Sequence, residues 1–308
     1  MRVLVTGGAG FIGSHVAEGF LSLGHEVAVL DNLSSGLREN IPGGARFFEA
    51  DITEREDVRR VFDEFRPEVV DHHAAQIDVR KSVDDPVFDA RTNILGSLNL
   101  VSESVRCGVR RFIYASTGGV MYGEPKRLPA VESDPVHPIC AYGVSKHTVE
   151  HYLELYRMLH GLPCVILRYA NVYGPRQNPH GEAGVNAIFI GKMLSGETPT
   201  IFGTGEQLRD YVYVADIVDA NARSLERGEG EVLNIGSGVG TSVNDIYVLL
   251  ARIIGFDRPA RYAPARTGEI ERVYLDASKA GRVLEWRPTV AFDEGLRRTV
   301  EWHRSRSA

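Results

Sequence analysis

The residues of this chain best placed to do chemistry are Tyr142 and Lys146, in the stretch Tyr142-Gly-Val-Ser-Lys146. On a helix, residues four apart share a face, with Cβ atoms about 5–6 Å apart. A free tyrosine titrates near ~10 and is a poor base at neutral pH. A neighbouring ammonium favours the phenolate and lowers that value. The pair therefore reads as a general base that takes a proton from a hydroxyl. By itself the spacing is weak evidence, because a Tyr and a Lys at i, i+4 occur by chance on many helices. The elements that must position the pair give it meaning.

Val3-Leu4-Val5 is a short buried strand that runs into Thr6-Gly7-Gly8-Ala9-Gly10-Phe11-Ile12-Gly13. Ile12, Val16, Phe20 and Leu23 then recur at helical spacing. In this strand, loop and helix, Gly7 permits the tight turn and Gly10 lets backbone approach a pyrophosphate. Gly13 lets the helix pack close, and the helix start at Phe11 and Ile12 offers free N–H groups to an anion. The second strand, Glu26–Leu30, ends on Asp31. A carboxylate there accepts hydrogen bonds from an adenosine ribose and repels a 2′-phosphate, so NAD is favoured over NADP. The bland alternative for Asp31 is a strand-end cap. Asn32 and Ser34 follow in the same loop, and Arg38 is the nearest cation, which leaves some NADP use open.

Arg46–Ala50 reads as a third strand ending on Asp51-Ile52, the place to bracket an adenine, and a helix follows over 54–65. Glu68–His73 is the fourth strand. It runs into Ala74-Ala75-Gln76, small residues that suit a flat cofactor across the strand ends. His72 and His73 alternate across a strand and cannot both face one metal. One is read as packed and one as bonded to polar groups. Pro86–Arg106 reads as one long helix in which Asn93 faces the cofactor or solvent. The fifth strand, Arg111–Thr117, ends in hydroxyls at the rim where open α/β sheets bind ligands. His147 and His151 share metal spacing, yet no third ligand is placed to complete a zinc site, so they read as exposed or interface residues. Cys164–Leu167 is the sixth strand, followed by Arg168-Tyr169-Ala-Asn171.

Strand and helix alternate up to Asn171, which predicts a parallel, doubly wound sheet. Beyond it the pattern changes, with a helix near 183–194, a β-like segment over 209–214 and helices over 244–254, 277–284 and 292–303. The expected class is α/β: a Rossmann-type doubly wound parallel sheet with a smaller C-terminal α/β substrate lobe. The expected division is 1–170 plus about 214–236 for NAD, and about 171–213 with 237–308 for a second ligand.

The chain has 308 residues, 43% hydrophobic and 25% charged, with a net charge of −6. That balance is ordinary for a globular protein and gives no footprint for nucleic acid or an anionic membrane. Cys107, Cys140 and Cys164 are odd in number and far apart, which fits a reducing compartment. Apolar segments are short and interrupted, so no membrane span is expected. Structure begins at Arg2, which leaves no room for a signal peptide. The expectation is a cytoplasmic protein with no metal.

Taken together, the stretches TGGAGFIGSH, LDNLSSG, FIYAST with GGVMYGE after it, AYGVSK, RYANVYGPRQ, RDYVYVAD, NIGSG and WRP resemble the extended short-chain dehydrogenase/reductase superfamily. Within it, the chain is similar over its whole length to the shorter 4-epimerases of UDP-hexoses. The resemblance implies a catalytic set of Thr117, Tyr142 and Lys146, with the hydroxyl on Thr117 if the strand is aligned from Phe112. Ser116 is the other hydroxyl at the strand end, and alignment from Tyr122-Gly123 would put Gly118 in that place. It implies retained NAD, a UDP-sugar substrate and a transient 4-keto sugar. Tyr169 is counted with the cofactor contacts. Asn171 and Glu269 are implied as sugar- and uridine-side contacts, and Arg209 and Arg266 as diphosphate ligands. Val273 falls at the gatekeeper position beside the sugar 2-substituent, where a small residue admits N-acetylated sugars. A symmetric homodimer through a four-helix interface is also implied.

The competing readings are a 4,6-dehydratase, a decarboxylase, or an epimerase for UDP-N-acetylglucosamine or UDP-glucuronate on the same fold. A further alternative is a non-catalytic NAD sensor. Dehydratases carry an Asp-Glu pair after the strand-end hydroxyl, whereas this chain has Gly118-Gly119. Sensors typically lose the tyrosine.

Overall fold

A computed structural model of the chain describes residues 1–178, 184–265 and 270–307. Six strands follow in chain order: β1 (Arg2–Thr6), β2 (Glu26–Asp31), β3 (Arg46–Glu49), β4 (Val69–His72), β5 (Arg111–Thr117) and β6 (Cys164–Tyr169). The strand Val232–Ile235 joins them in one seven-stranded sheet. Reading across the sheet, that strand is followed by β6, β5, β4, β1, β2 and β3, every pair parallel. Nearly every residue of β1, β4, β5 and β6 is buried, as expected for strands covered on both faces. The direction of strand addition reverses between β1 and β4. The crevice at their carboxyl ends is thus the switch point where such sheets take ligands.

Helices α1 (Phe11–Ser22) and Val214–Ser224 cover one face with a cluster that includes Val16, Phe20, Ile217 and Ala220. Helices α2 (Arg55–Phe65), α5 (Gly96–Arg106) and α6 (Ala141–His160) cover the other with Val58, Phe62, Leu100, Val149 and Leu153. A third cluster, around Phe189, Ile201, Tyr211, Ile246 and Leu296, lies under the helices Val185–Leu194, Val243–Ile254 and Phe292–Ser307. The expected α/β class, with a smaller C-terminal lobe, is therefore present.

Two elements differ from expectation. A six-residue helix, α3 (Val79–Asp84), precedes the long one. The segment expected as a single helix from Pro86 to Arg106 is α4 (Pro86–Ala90), a π turn over Arg91–Leu95, and then α5. The π turn carries Asn93, whose side chain is bonded to the loop after β4. Such widened turns recur where a helix is bent to a functional loop. Helix α6 ends as its sequence suggests, with Gly161 in the left-handed region (φ 66°).

Candidate active site

The glycine loop is shaped by close approach. Gly7 has φ +68°, and a Cβ on it would lie 2.7 Å from the Ala74 backbone nitrogen. A Cβ on Gly13 would fall on the Gly7 carbonyl oxygen. These two glycines let the loops after β1 and β4 meet and let α1 start beside them. Helix α1 has no side-chain cap and no acidic residue in its first turn, and Gly10 is its N-cap. The N–H groups of Phe11, Ile12 and Gly13 are therefore left for an anion, as a dinucleotide pyrophosphate would require.

Asp31, at the end of β2, is 8% exposed. Its oxygens accept from the Ala9 amide (3.0 Å) and the Leu33 amide (2.8 Å). It thus closes the glycine loop, and each oxygen keeps a lone pair for a ribose hydroxyl. Burial pushes its carboxyl up, against the pull of those two amides. Asn32 donates to Asp51 (2.8 Å) and accepts from the Ser34 amide and hydroxyl, so Asn32, Ser34 and Asp51 form one polar rim. Ile52 is buried behind it, against Gly96. Arg38 is paired with Glu49 at 2.5 Å. That pairing weakens the case for a 2′-phosphate.

Ala74, Ala75 and Gln76 follow β4 at the switch point. The Ala74 amide donates to Thr6 Oγ1 (3.2 Å), and the Gln76 amide donates to Asn93 Oδ1 (2.8 Å). Sequence alone leaves Asn93 open to cofactor or solvent. It is 2% exposed and grips this loop. Tyr169 needs a correction too. Its hydroxyl is bonded to Asn221 and its ring stacks on His73, so the side chain lies in the core. Its carbonyl accepts from the Gly118 amide (2.7 Å), so it supports the site through backbone. His72 lies between Thr6 (2.7 Å) and Ser97 (2.8 Å). His73 faces the other way, 2.9 Å from Asp71 Oδ1 without hydrogen-bond alignment.

Lys146 projects from α6 onto β5. Its Nζ is buried, donates to the Ala115 carbonyl (2.9 Å) and stands 4.9 Å from the Tyr114 ring centre and 5.9 Å from that of Tyr142. Desolvation pulls the ammonium down to about 8, while the carboxylates of Asp89 and Glu150 hold it up. Tyr142 does not show the lowering expected from Lys146. Burial pushes its phenol up, and Cys140 and Asp89 add to that.

The two strand-end hydroxyls have different surroundings. Ser116 Oγ donates to Glu150 Oε1 (2.6 Å) in a buried cluster. Glu150 also accepts from Arg168 Nε (3.0 Å) and Nη2 (2.6 Å). Burial alone would raise Glu150, but the bonds from Arg168, His147 and Ser116 outweigh it and bring it to about 2. Thr117, the next residue, points to the opposite side. A Cβ built on Gly119 would lie 3.9 Å from Thr117 Oγ1 and 3.4 Å from Asn171 Oδ1. Thr117 and Asn171 therefore meet around Gly119, where a bulkier residue would fill the space.

Asn171 is held by its amide to the Asp210 carbonyl (3.0 Å). Arg209 donates to the Leu208 and Glu271 carbonyls and is paired in register with Val273. Val273 is 2% exposed. Arg266 and Glu269 lie outside the described residues. His147 and His151 meet edge to face on α6, with Nε2 atoms 3.2 Å apart. Asp210 was missed by sequence reasoning although it stands beside Arg209. It is 2% exposed and accepts from Ser237, Gly238 and Leu275, which ties the 237–238 loop and the chain at Leu275 to its own segment. Its surrounding motif was the available signal.

The fold and this site define an extended short-chain dehydrogenase/reductase that uses NAD. Residues 3–236 match the family model described as "NAD dependent epimerase/dehydratase family", and the chain belongs to that family. It is 45% identical over 313 residues to UDP-glucose 4-epimerase of Mycolicibacterium smegmatis, covering all of both chains. A solved structure of UDP-glucose 4-epimerase with UDP-glucose from Thermotoga maritima is 50% identical, with TM-score 0.99 and full coverage of both chains. A UDP-glucose 4-epimerase in complex with NAD from Thermus thermophilus is 47% identical, with TM-score 0.94 and 99% coverage of each.

The geometry separates the two hydroxyls. Thr117→Ala should lower kcat with the fold intact, and Thr117→Ser should largely keep it. Ser116→Ala should lower thermal stability more than it lowers kcat. Steady-state kinetics beside melting curves will show this, and the reverse pattern would move the hydroxyl role to Ser116.

Proposed function

We propose that this chain is a UDP-glucose 4-epimerase that interconverts UDP-galactose and UDP-glucose through a 4-keto sugar. The observation that carries this reading is the end of β5. Thr117 is followed by two glycines and no acid for β-elimination, on a chain alike from end to end to a 4-epimerase solved with its sugar nucleotide.

When bound, NAD would supply reversible hydride transfer at C4 of the sugar. Its pyrophosphate is assigned to Gly7, Gly10, Phe11, Ile12 and Gly13. Its adenosine is assigned to Asp31, Asn32, Ser34, Asp51 and Ile52, and its nicotinamide half to Ala74, Ala75, Gln76, Tyr142 and Lys146. Tyr142 takes the proton from the sugar 4-OH and later gives it back. Lys146 supplies the positive charge nearest Tyr142 on the same helix, where it would favour the phenolate as the proton leaves. Thr117 holds the 4-oxygen in line. Residues 171–213 and 237–308 carry the UDP-sugar, with Arg209 and Arg266 on the diphosphate and Asn171 and Glu269 on the sugar and uridine side. A firm grip on UDP with a loose grip on the sugar lets the keto sugar turn over.

The protein is assigned to the cytoplasm, in keeping with three free cysteines. It is assigned as a homodimer because α3 to α6 carry exposed apolar residues, among them Val87 (77%), Leu95 (56%), Met158 (64%) and Leu159 (66%).

Three measurements test this reading. Wild type should convert UDP-galactose to UDP-glucose, and Tyr142→Phe should lower kcat by about 10²–10⁴-fold while NAD stays bound. A Tyr142→Phe enzyme with near-normal turnover would remove the base. Light scattering at micromolar concentration should give twice the chain mass, and a monomer would refute the interface. Valine at the assigned gatekeeper position is much smaller than tyrosine, so wild type should also accept UDP-N-acetylglucosamine. The core behind Val273 is filled, so in Val273→Tyr the ring must project into the site and remove that activity first. An unchanged ratio of the two activities would sink the gatekeeper role.

A further inference from the structure

One buried carboxylate, Asp89 on α4, joins the loop after β4 to the helix that carries Tyr142 and Lys146. Asp89 has no exposed surface. Its Oδ1 accepts from Gln76 Nε2 and Asn93 Nδ2, both at 3.0 Å. Its Oδ2 accepts from the hydroxyl of Ser145, which is 3% exposed and stands next to Lys146. Gln76 and Asn93 are bonded to each other twice, and the Tyr142 amide donates to Ser82 on α3 (3.1 Å). The loop, α3, α4, the π turn and α6 therefore share one enclosed polar network.

The hydrogen bonds alone do not require a charge. An asparagine at 89 could accept from Gln76 and Asn93 through its oxygen, and the Ser145 hydroxyl could turn to accept from its amide. A buried charge is costly unless a cation faces it. Glu150 already has Arg168. Lys146, next to Ser145 on α6, is a buried ammonium beside this network.

We propose that Asp89 is a positioning residue for the reaction. It holds Ser145, and with it Tyr142 and Lys146, in register with the Ala74–Gln76 loop, and its carboxylate is the buried counter-charge of the Lys146 ammonium. This rests on the roles assigned above to Tyr142 and Lys146. The other titratable groups facing the pair are Cys140 at the cap of α6, Glu150 from α6, Tyr114 from β5 and His72 from β4. Against that set, Asp89 is first among the groups that hold Lys146 up, and it also pushes Tyr142 up. Without its charge both groups move to lower pH.

The test compares wild type, Asp89→Asn and Ser145→Ala. It reads kcat for UDP-galactose from about pH 5 to 10, the span around the Lys146 value of about 8. Asp89→Asn should shift the limb that Lys146 sets down by about one unit, the size of effect a neighbouring opposite charge imposes. Ser145→Ala keeps the charge, so that limb should stay while kcat falls about tenfold from lost alignment. An unmoved limb in Asp89→Asn overturns the counter-charge, and a wild-type kcat in Ser145→Ala overturns the positioning. A melting-temperature cycle needs no substrate. Asp89→Asn and Lys146→Met should each lower Tm, and the double variant should melt above the weaker single one. If Asp89→Asn alone does not fold, the double variant should recover the fold. A double variant no better than the weaker single one overturns the pairing. A wild type inactive on UDP-galactose would fault the proposed function, and the melting cycle would still judge Asp89.

Discussion

The buried pair of Glu150 and Arg168 is the interaction on which the site's frame depends. Each side chain is 5% exposed, and they meet at 2.6 Å. Arg168 comes from β6, Glu150 from α6, and Ser116 of β5 donates into the same carboxylate. Arg168 also donates to the Tyr122 hydroxyl, which donates to Asn234, and Asn234 donates to the carbonyls of Ala130 and Asp276. One pair thus fastens the sheet, the helix that carries Tyr142 and Lys146, and the chain returning from the C-terminal lobe. Removing one partner of such a pair commonly costs about 3–5 kcal/mol, because the other is left charged in the interior. The pair and the groups bonded to it tie three elements into one arrangement.

That arrangement changes the chemistry of the Tyr142/Lys146 motif. Considered alone, an ammonium one helical turn away should make the phenol more acidic. In the folded protein both groups are taken out of water, and desolvation raises one and lowers the other. Lys146 gives its bond to the Ala115 carbonyl. Two carboxylates, Asp89 and Glu150, then keep the ammonium from falling further. The motif is better described as a small buried charge cluster than as an isolated pair.

Several family motifs act through the fold rather than on a ligand. In Arg209-Asp-Tyr-Val-Tyr-Val-Ala-Asp216, Asp210 locks the loops at Ser237, Gly238 and Leu275. Asp216 accepts from Thr289 and Val290, while Trp286 Nε1 donates to its carbonyl (2.8 Å). The WRP stretch and the VAD stretch are thus two halves of one joint. Asn93 and Tyr169 belong with them. Each supports a loop that faces the crevice, and neither side chain opens into it.

Much of this protein is legible one residue after another. The alternation of short apolar runs with amphipathic helices dictates a parallel sheet, because parallel strands need crossovers and are buried on both faces. The glycine loop, Asp31 and the Tyr142/Lys146 spacing are local, since each depends on neighbours a few residues away. What the chain alone left open is set by atoms far apart in sequence. Ser116 and Thr117 are adjacent hydroxyls, and only the packing of α6 against β5 shows that one faces Glu150 and the other Gly119. Asn93 is a polar residue on a helix until the loop after β4 comes to meet it. Whether Tyr142 is pulled down by Lys146 or pushed up by burial cannot be read from a four-residue spacing. Desolvation is a property of everything packed around the group, and that is decided only when the whole chain has folded.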